Sequence, residues 1–144
     1  MSDLLRRLLV KEEGVVLHEY KDHLGYSTLG VGRLIDKQKG GGISLSEAFF
    51  LLDNDISRVE AQLDAAIPWW RGLNDVRQAV IASMAFQMGI SGLLKFQNTL
   101  RAVQEGRWVD AAAGMRASLW YRQTRARAER AARALETGLE SELL

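Results

Sequence analysis

The chain has no cysteine and a single proline among its 144 residues. Without cysteine there is no disulfide framework and no thiol nucleophile, so the fold must stand on packing alone. Two histidines are too few for the usual zinc ligand sets. No apolar run approaches the ~20 residues of a membrane-spanning helix. The N-terminal MSDLLRRLLV is interrupted by Arg6 and Arg7 and lacks a small-residue cleavage site, so it does not read as a signal peptide. Internal repeats and low-complexity tracts are lacking too, and neither sign of charge dominates, with 19 Lys and Arg against 18 Asp and Glu. What is present, 47% hydrophobic and 26% charged residues, is the composition of one globular domain long enough to bury a sizeable core.

The stretch Glu12 to Arg33, EEGVVLHEYKDHLGYSTLGVGR, concentrates the polar groups suited to chemistry. It follows an apolar helical run with Leu4, Leu5, Leu8 and Leu9 at helical spacing, and Gly14 is a natural helix C′ residue. Glu13 then falls on the last turn, beside unpaired carbonyls and the negative end of the helix dipole. Those surroundings, together with partial burial against the apolar helix face, favour the protonated carboxyl that a general acid requires. VVLHEYKD reads as a strand closed by Asp22, His23-Leu24-Gly25 as a turn, and YSTLGVGRLI as a second strand. That second strand alternates Thr28, Gly30 and Gly32 on one face, where the glycines leave room for a ligand. Two carboxylates flanking a bond are the usual equipment for glycoside hydrolysis. Taken singly, Glu13 reads as a surface charge, Asp22 as a turn residue and Thr28 as an ordinary strand residue.

Lys37 to Gly42, KQKGGG, is the most flexible-looking segment and reads as a surface loop. Ser44-Leu45-Ser46-Glu47 matches a capping box that opens a helix of about 22 residues, stopped by Pro68. Trp69 and Trp70 are placed to plug the junction beyond it. From Asn74 the pattern is helical. A helix with Val76, Val80, Met84 and Met88 on one face ends at Gly89, and helices follow over Leu93 to Glu105, Trp108 to Met115 and Arg125 to Leu135, the last capped by Thr124. Charge is uneven, −3 over residues 1–70 (8 basic, 11 acidic) and +4 over 71–144 (11 basic, 7 acidic). Six arginines between Arg116 and Arg133 face Glu129 alone. They read as a solvated face with lobe-to-lobe ion pairs or as an attraction site for anionic cell wall or lipopolysaccharide.

Glu13, Asp22 and Thr28 inside EG...YKD..GY.T.G.G, with FQMG at Phe86 to Gly89, F.NTL at Phe96 to Leu100, Arg107-Trp108 and WY.QT..RA.R from Trp120, together resemble the phage T4-type lysozymes (endolysins). The resemblance covers roughly Leu5 to Gly138. It implies an α+β, mainly helical, two-lobed lysozyme-like fold in a single domain over residues 1–144. A small β-hairpin lobe is expected over about 13–43, a linking helix over 44–67, and a helical lobe over 68–144 on which the first helix packs, with a cleft between the lobes.

The same resemblance implies hydrolysis of the β-1,4 bond between N-acetylmuramic acid and N-acetylglucosamine in peptidoglycan, with inversion. Glu13 would be the general acid, and Asp22 and Thr28 would assist the water. Gly32, Gln87, Phe96 and Trp120 are the substrate-binding candidates, although Gln87 and Trp120 read equally as core or hinge residues and Phe96 as packing. Arg127 matches a family position that supports the catalytic glutamate by an ion pair with Glu12 or Glu13. Spacing to Asp22 selects Glu13 over Glu12 as the acid, and Arg33 stands where close relatives of the T4 enzyme usually carry histidine. No cofactor or metal is expected, nor a nucleic-acid partner. A monomer is expected, held in the host cytoplasm until a holin-type protein opens the way to the wall. The rival readings are a lytic transglycosylase, a basic nucleic-acid-binding module and an inactive wall-binding homologue.

Overall fold

The computed structural model describes residues 3–144. Met1, Ser2 and the Leu5 side chain, part of the apolar run read above, lie outside the described residues. The backbone divides into two compact units, one up to Leu51 and one over Leu52–Leu144.

In the first unit, helix α1 (Asp3–Glu13) precedes three short strands, β1 (Val16–Lys21), β2 (Ser27–Gly30) and β3 (Arg33–Leu34). They form an antiparallel sheet in the order β1-β2-β3, with Tyr20 opposite Thr28, Thr28 opposite Leu34, and an irregularity between Val16 and Tyr20. The run YSTLGVGRLI, read as one strand, is two. Gly30, which ends β2, and Gly32 adopt φ of 69° and 66°, so the extended run stops there and the chain reverses between them.

The glycine-rich segment at 37–42 is exposed up to Gly41, as expected of a loop, but it is tightly organised. Asp36 caps a 3-10 turn over Lys37–Lys39 by accepting from Gln38 N, and Gly41 and Gly42 donate to Asp36 O and Leu34 O at 3.0 Å. Helix α2 (Leu45–Ala66) then begins as the capping box requires, with Glu47 N donating to Ser44 Oγ at 3.2 Å and Ser44 N to Glu47 Oε2 at 3.4 Å. The division between the two units falls within this helix.

The second unit holds the rest of α2 and helices α3 (Asp75–Leu94), α4 (Gln97–Gln104), α5 (Trp108–Arg116), α6 (Leu119–Gln123) and α7 (Arg125–Thr137). Its core is built on Leu63, Trp70, Ile81, Met84, Leu93 and Leu135, all at most 2% exposed. Each large aliphatic side chain buried in this way stabilises the fold by about 1.5–3 kcal/mol. Trp70 is therefore a core residue of this unit, and its Nε1 donates to Asp64 Oδ1 at 2.9 Å. Alanines 111, 112, 128, 131, 132 and 134 are buried on α5 and α7, small enough to let the two helices approach closely.

Asn74 caps α3 as its sequence implies, accepting from Arg77 N at 2.9 Å. The helix breaks at Gly89 (φ 78°, ψ 161°) but resumes to Leu94. Leu93 and Leu94 accordingly end α3 and do not start the next helix, which begins after Phe96. Five-residue α6 was not foreseen in the sequence, being too short to show a period. Thr124 precedes α7 but does not cap it through its side chain, because its hydroxyl donates to Trp120 O at 2.9 Å. Among the described residues no single helix is long and apolar enough to cross a membrane.

Candidate active site

Glu13 is the last residue of α1, and Gly14 follows in the left-handed conformation (φ 72°) with its N–H on Val10 O at 2.9 Å. This is the C′ glycine that the sequence indicates. The carboxyl turns toward Gly32, where a Cβ built on the glycine would stand 2.8 Å from Glu13 Oε2 and 2.9 Å from its Cδ. The side of Gly32 on which a Cβ would stand is thus taken by Glu13 itself. Glu13 is exposed, which corrects the expectation of partial burial against the helix face. The bare α-carbon beneath it offers no side chain to cover it.

Asp22 closes β1 and is half-buried. Its Oδ1 accepts from Leu24 N at 2.9 Å and Tyr26 N at 2.8 Å, while Asp22 N donates to Tyr26 O at 2.8 Å. The carboxylate is therefore the turn-stabilising group of the hairpin, but through one oxygen only; Oδ2 makes no hydrogen bond among the described residues. Thr28, 4% exposed on β2, donates its hydroxyl to the same Tyr26 carbonyl at 3.0 Å. Tyr26 is the residue that sequence reasoning missed. Its backbone N–H and C=O tie Asp22 and Thr28 into one turn, and the available signal was the hairpin spacing DHLGY between them.

The candidates in the helical unit also converge. Trp120 Nε1 on α6 donates to Gln87 Oε1 on α3 at 3.0 Å, and the Trp120 ring meets Phe96 edge-on with centroids 6.1 Å apart. An open pocket of about 300 Å³ lies beside them, lined by Lys95, Phe96, Ser118 and Trp120 among others. Arg127, on α7, donates to Ser83 Oγ at 3.2 Å.

Within the arginine-rich segment, Glu129 is the hub. It pairs with Arg116 at 3.0 Å and Arg133 at 3.2 Å, and accepts from Tyr121 Oη at 2.8 Å. The Arg116 guanidinium first, and then the Tyr121 hydroxyl, hold the Glu129 carboxyl down at about 2. For Arg116 and Arg133 the local ion pairs account for the charge. Among the described residues no group of three or more His, Asp or Glu side chains is arranged to hold a metal ion.

The family profile for phage lysozyme matches residues 10–137, nearly the whole chain and all of the residues above. The chain belongs to the phage lysozyme family. It carries a lysozyme-type hydrolase domain on an α+β fold. It is 35% identical to the pre-baseplate central spike protein Gp5 of Enterobacteria phage T4, a match covering 98% of this chain but 28% of that protein. It is 29% identical to probable T4-type lysozyme 1 of Dictyostelium discoideum, with 96% of each chain covered. It is 32% identical to peptidoglycan hydrolase gp36 of Pseudomonas phage phiKMV, over 86% of this chain and 14% of that protein. The chain thus spans less than a third of the two phage proteins and nearly all of the slime-mould lysozyme.

Proposed function

We propose that the chain is an N-acetylmuramidase that hydrolyses the β-1,4 bond between N-acetylmuramic acid and N-acetylglucosamine of peptidoglycan. The observation that carries the reading is the pair of unlike carboxylates in the N-terminal unit. Glu13 is a solvent-facing carboxyl seated on Gly32, free to exchange a proton with a substrate oxygen. Asp22 is fixed through Oδ1, with Oδ2 left over. Glu13 protonates the leaving glycosidic oxygen, and Asp22 Oδ2 orients water or balances positive charge at the anomeric carbon. Thr28, its proton directed to Tyr26 O, keeps lone pairs to accept from that water. Gln87, Trp120 and Phe96 present a flat, partly polar face suited to a sugar ring.

The peptidoglycan substrate is supported by the name of the phiKMV relative and by the family. The proposed setting is release of phage progeny by a monomer that acts on the periplasmic wall once a holin-type protein has opened the inner membrane.

The test is digestion of purified peptidoglycan, with mass spectrometry of the fragments, for the wild type, Glu12→Gln and Glu13→Gln. Reducing muramic ends lost only in a folded Glu13→Gln variant support the reading. Anhydro-sugar ends would assign a transglycosylase, and full activity of Glu13→Gln would remove Glu13 from the mechanism.

A further inference from the structure

Gly32, against which Glu13 rests, is followed directly by a side chain that makes an unusually complete set of contacts. Arg33 Nη1 donates to Glu47 Oε2 and Nη2 to Glu47 Oε1, both at 2.9 Å, and Nη1 reaches Gly42 O at 3.1 Å. Such a fork-to-fork pair fixes orientation as well as distance. Glu47 is itself held, because it sits on the first turn of α2 and closes the capping box with Ser44. The next residue, Leu34, is pinned on the same side. Its carbonyl accepts from Gly42 N at 3.0 Å, and a Cβ on Gly41 would stand 2.5 Å from that oxygen.

On its other side the turn joins β2, whose Leu29 lies opposite Arg33 and whose Gly30 lies opposite Val16 of β1. Gly30 and Gly32 both have positive φ, and glycine is the residue with most backbone freedom to lose. The hairpin turn carrying Gly32 is therefore held by the sheet through Gly30 and tied to α2 by the Arg33–Glu47–Gly42 brace. These residues, with Gly32, line one open pocket of about 530 Å³.

We propose that Arg33 and Glu47 are positioning residues for the Glu13 carboxyl: their ion pair anchors the Gly30–Gly32 turn to the start of α2 and so fixes the surface on which the acid rests. Neither residue need touch substrate. The inference rests on the reading of Glu13 as the general acid, and it gives the Arg33–Glu47 pair a catalytic consequence beyond capping a helix.

The experiment compares kcat and KM on soluble glycan fragments for the wild type, Arg33→Lys, Glu47→Gln and the reversed double variant Arg33→Glu/Glu47→Arg. Glu13→Gln is run in parallel, and each protein is checked by circular dichroism and melting temperature. The carboxyl carbon resonance of Glu13 is compared among the folded proteins by NMR at one pH. The single variants are expected to lose about 10-fold or more in kcat, with KM changing less than threefold, as a displaced catalytic group predicts. They should also shift the Glu13 carboxyl resonance, and the reversed pair should recover much of kcat.

Folded single variants with wild-type kcat and an unmoved Glu13 carboxyl resonance overturn the proposal, while an inactive Glu13→Gln leaves the functional reading standing. An active Glu13→Gln overturns both. Should Glu47→Gln fail to fold, Arg33→Lys, which keeps the charge and loses the fork, decides alone.

Discussion

The Glu13 carboxyl lies directly over the α-carbon of Gly32, with Oε2 2.8 Å from the place a Cβ would take. Gly32 also has φ of 66°. Gly32→Ala therefore meets two obstacles at once. Left-handed backbone costs a residue with a Cβ about 1–2 kcal/mol, and the methyl must displace the carboxyl. Glycan hydrolysis by this variant is expected to fall on the order of 10²-fold. Thermal unfolding should show a domain that still folds cooperatively, and wild-type kcat would disprove the contact's relevance.

Asp22 serves the turn with one oxygen, so turn and chemistry can be separated. Asp22→Asn keeps an acceptor for Leu24 N and Tyr26 N and should cost no more than about 1 kcal/mol of stability. Hydrolysis should nevertheless collapse, because the amide can neither take a proton from water nor balance cationic charge. Asp22→Ala loses both functions and should be the less stable of the two. Equal activity of wild type and Asp22→Asn in a turbidity assay would confine Asp22 to its structural role.

Glu129 predicts an acid-sensitive step in stability. Its carboxyl is held at about 2 in the folded state, chiefly by Arg116, against an ordinary value of 4.5. A carboxylate with a depressed folded pKa adds stability that is complete above the unfolded value and disappears as pH falls through the folded one. The melting temperature should therefore drop between about pH 4.5 and pH 2, and Glu129→Gln should flatten the curve over that interval. An unchanged slope in the variant would assign acid unfolding to other groups.

Gly114 on α5 faces buried Thr99 on α4, and a Cβ at Gly114 would collide with Thr99 Oγ1. Gly114→Ala should destabilise by about 1–3 kcal/mol through overpacking. Adding Thr99→Ala removes the colliding oxygen, and the double variant should recover much of that loss. Urea unfolding of the two single variants and the double variant measures the coupling directly.

Trp120 joins Gln87 by its indole N–H and Phe96 by its ring. Trp120→Phe retains an edge contact and abandons the hydrogen bond. If this cluster holds a sugar, KM should rise several-fold with kcat little changed, the signature of lost uniform binding. A fall in melting temperature with unaltered KM would make it a packing cluster only.

Local codes in the chain determined its local structure. The C′ glycine after Glu13, the Ser44–Glu47 capping box, the stop at Pro68 and the Asn74 cap are each a few adjacent residues whose hydrogen bonds close on themselves, so each was legible without the fold. The spacing of Glu13, Asp22 and Thr28 within its motif likewise pointed to the family. Tertiary structure decided what depends on partners distant in sequence. The seating of Glu13 on Gly32, 19 residues away, and the grip of Arg33 on Glu47, 14 residues away, follow from how hairpin and helix meet, which no periodicity encodes. The same is true of α6 and the breaks at Gly32 and Phe96, where segments are too short for propensity to outweigh packing. Glu13 shows the division: its place at a helix end was written in EEG, but its exposure was set by the glycine it came to rest on.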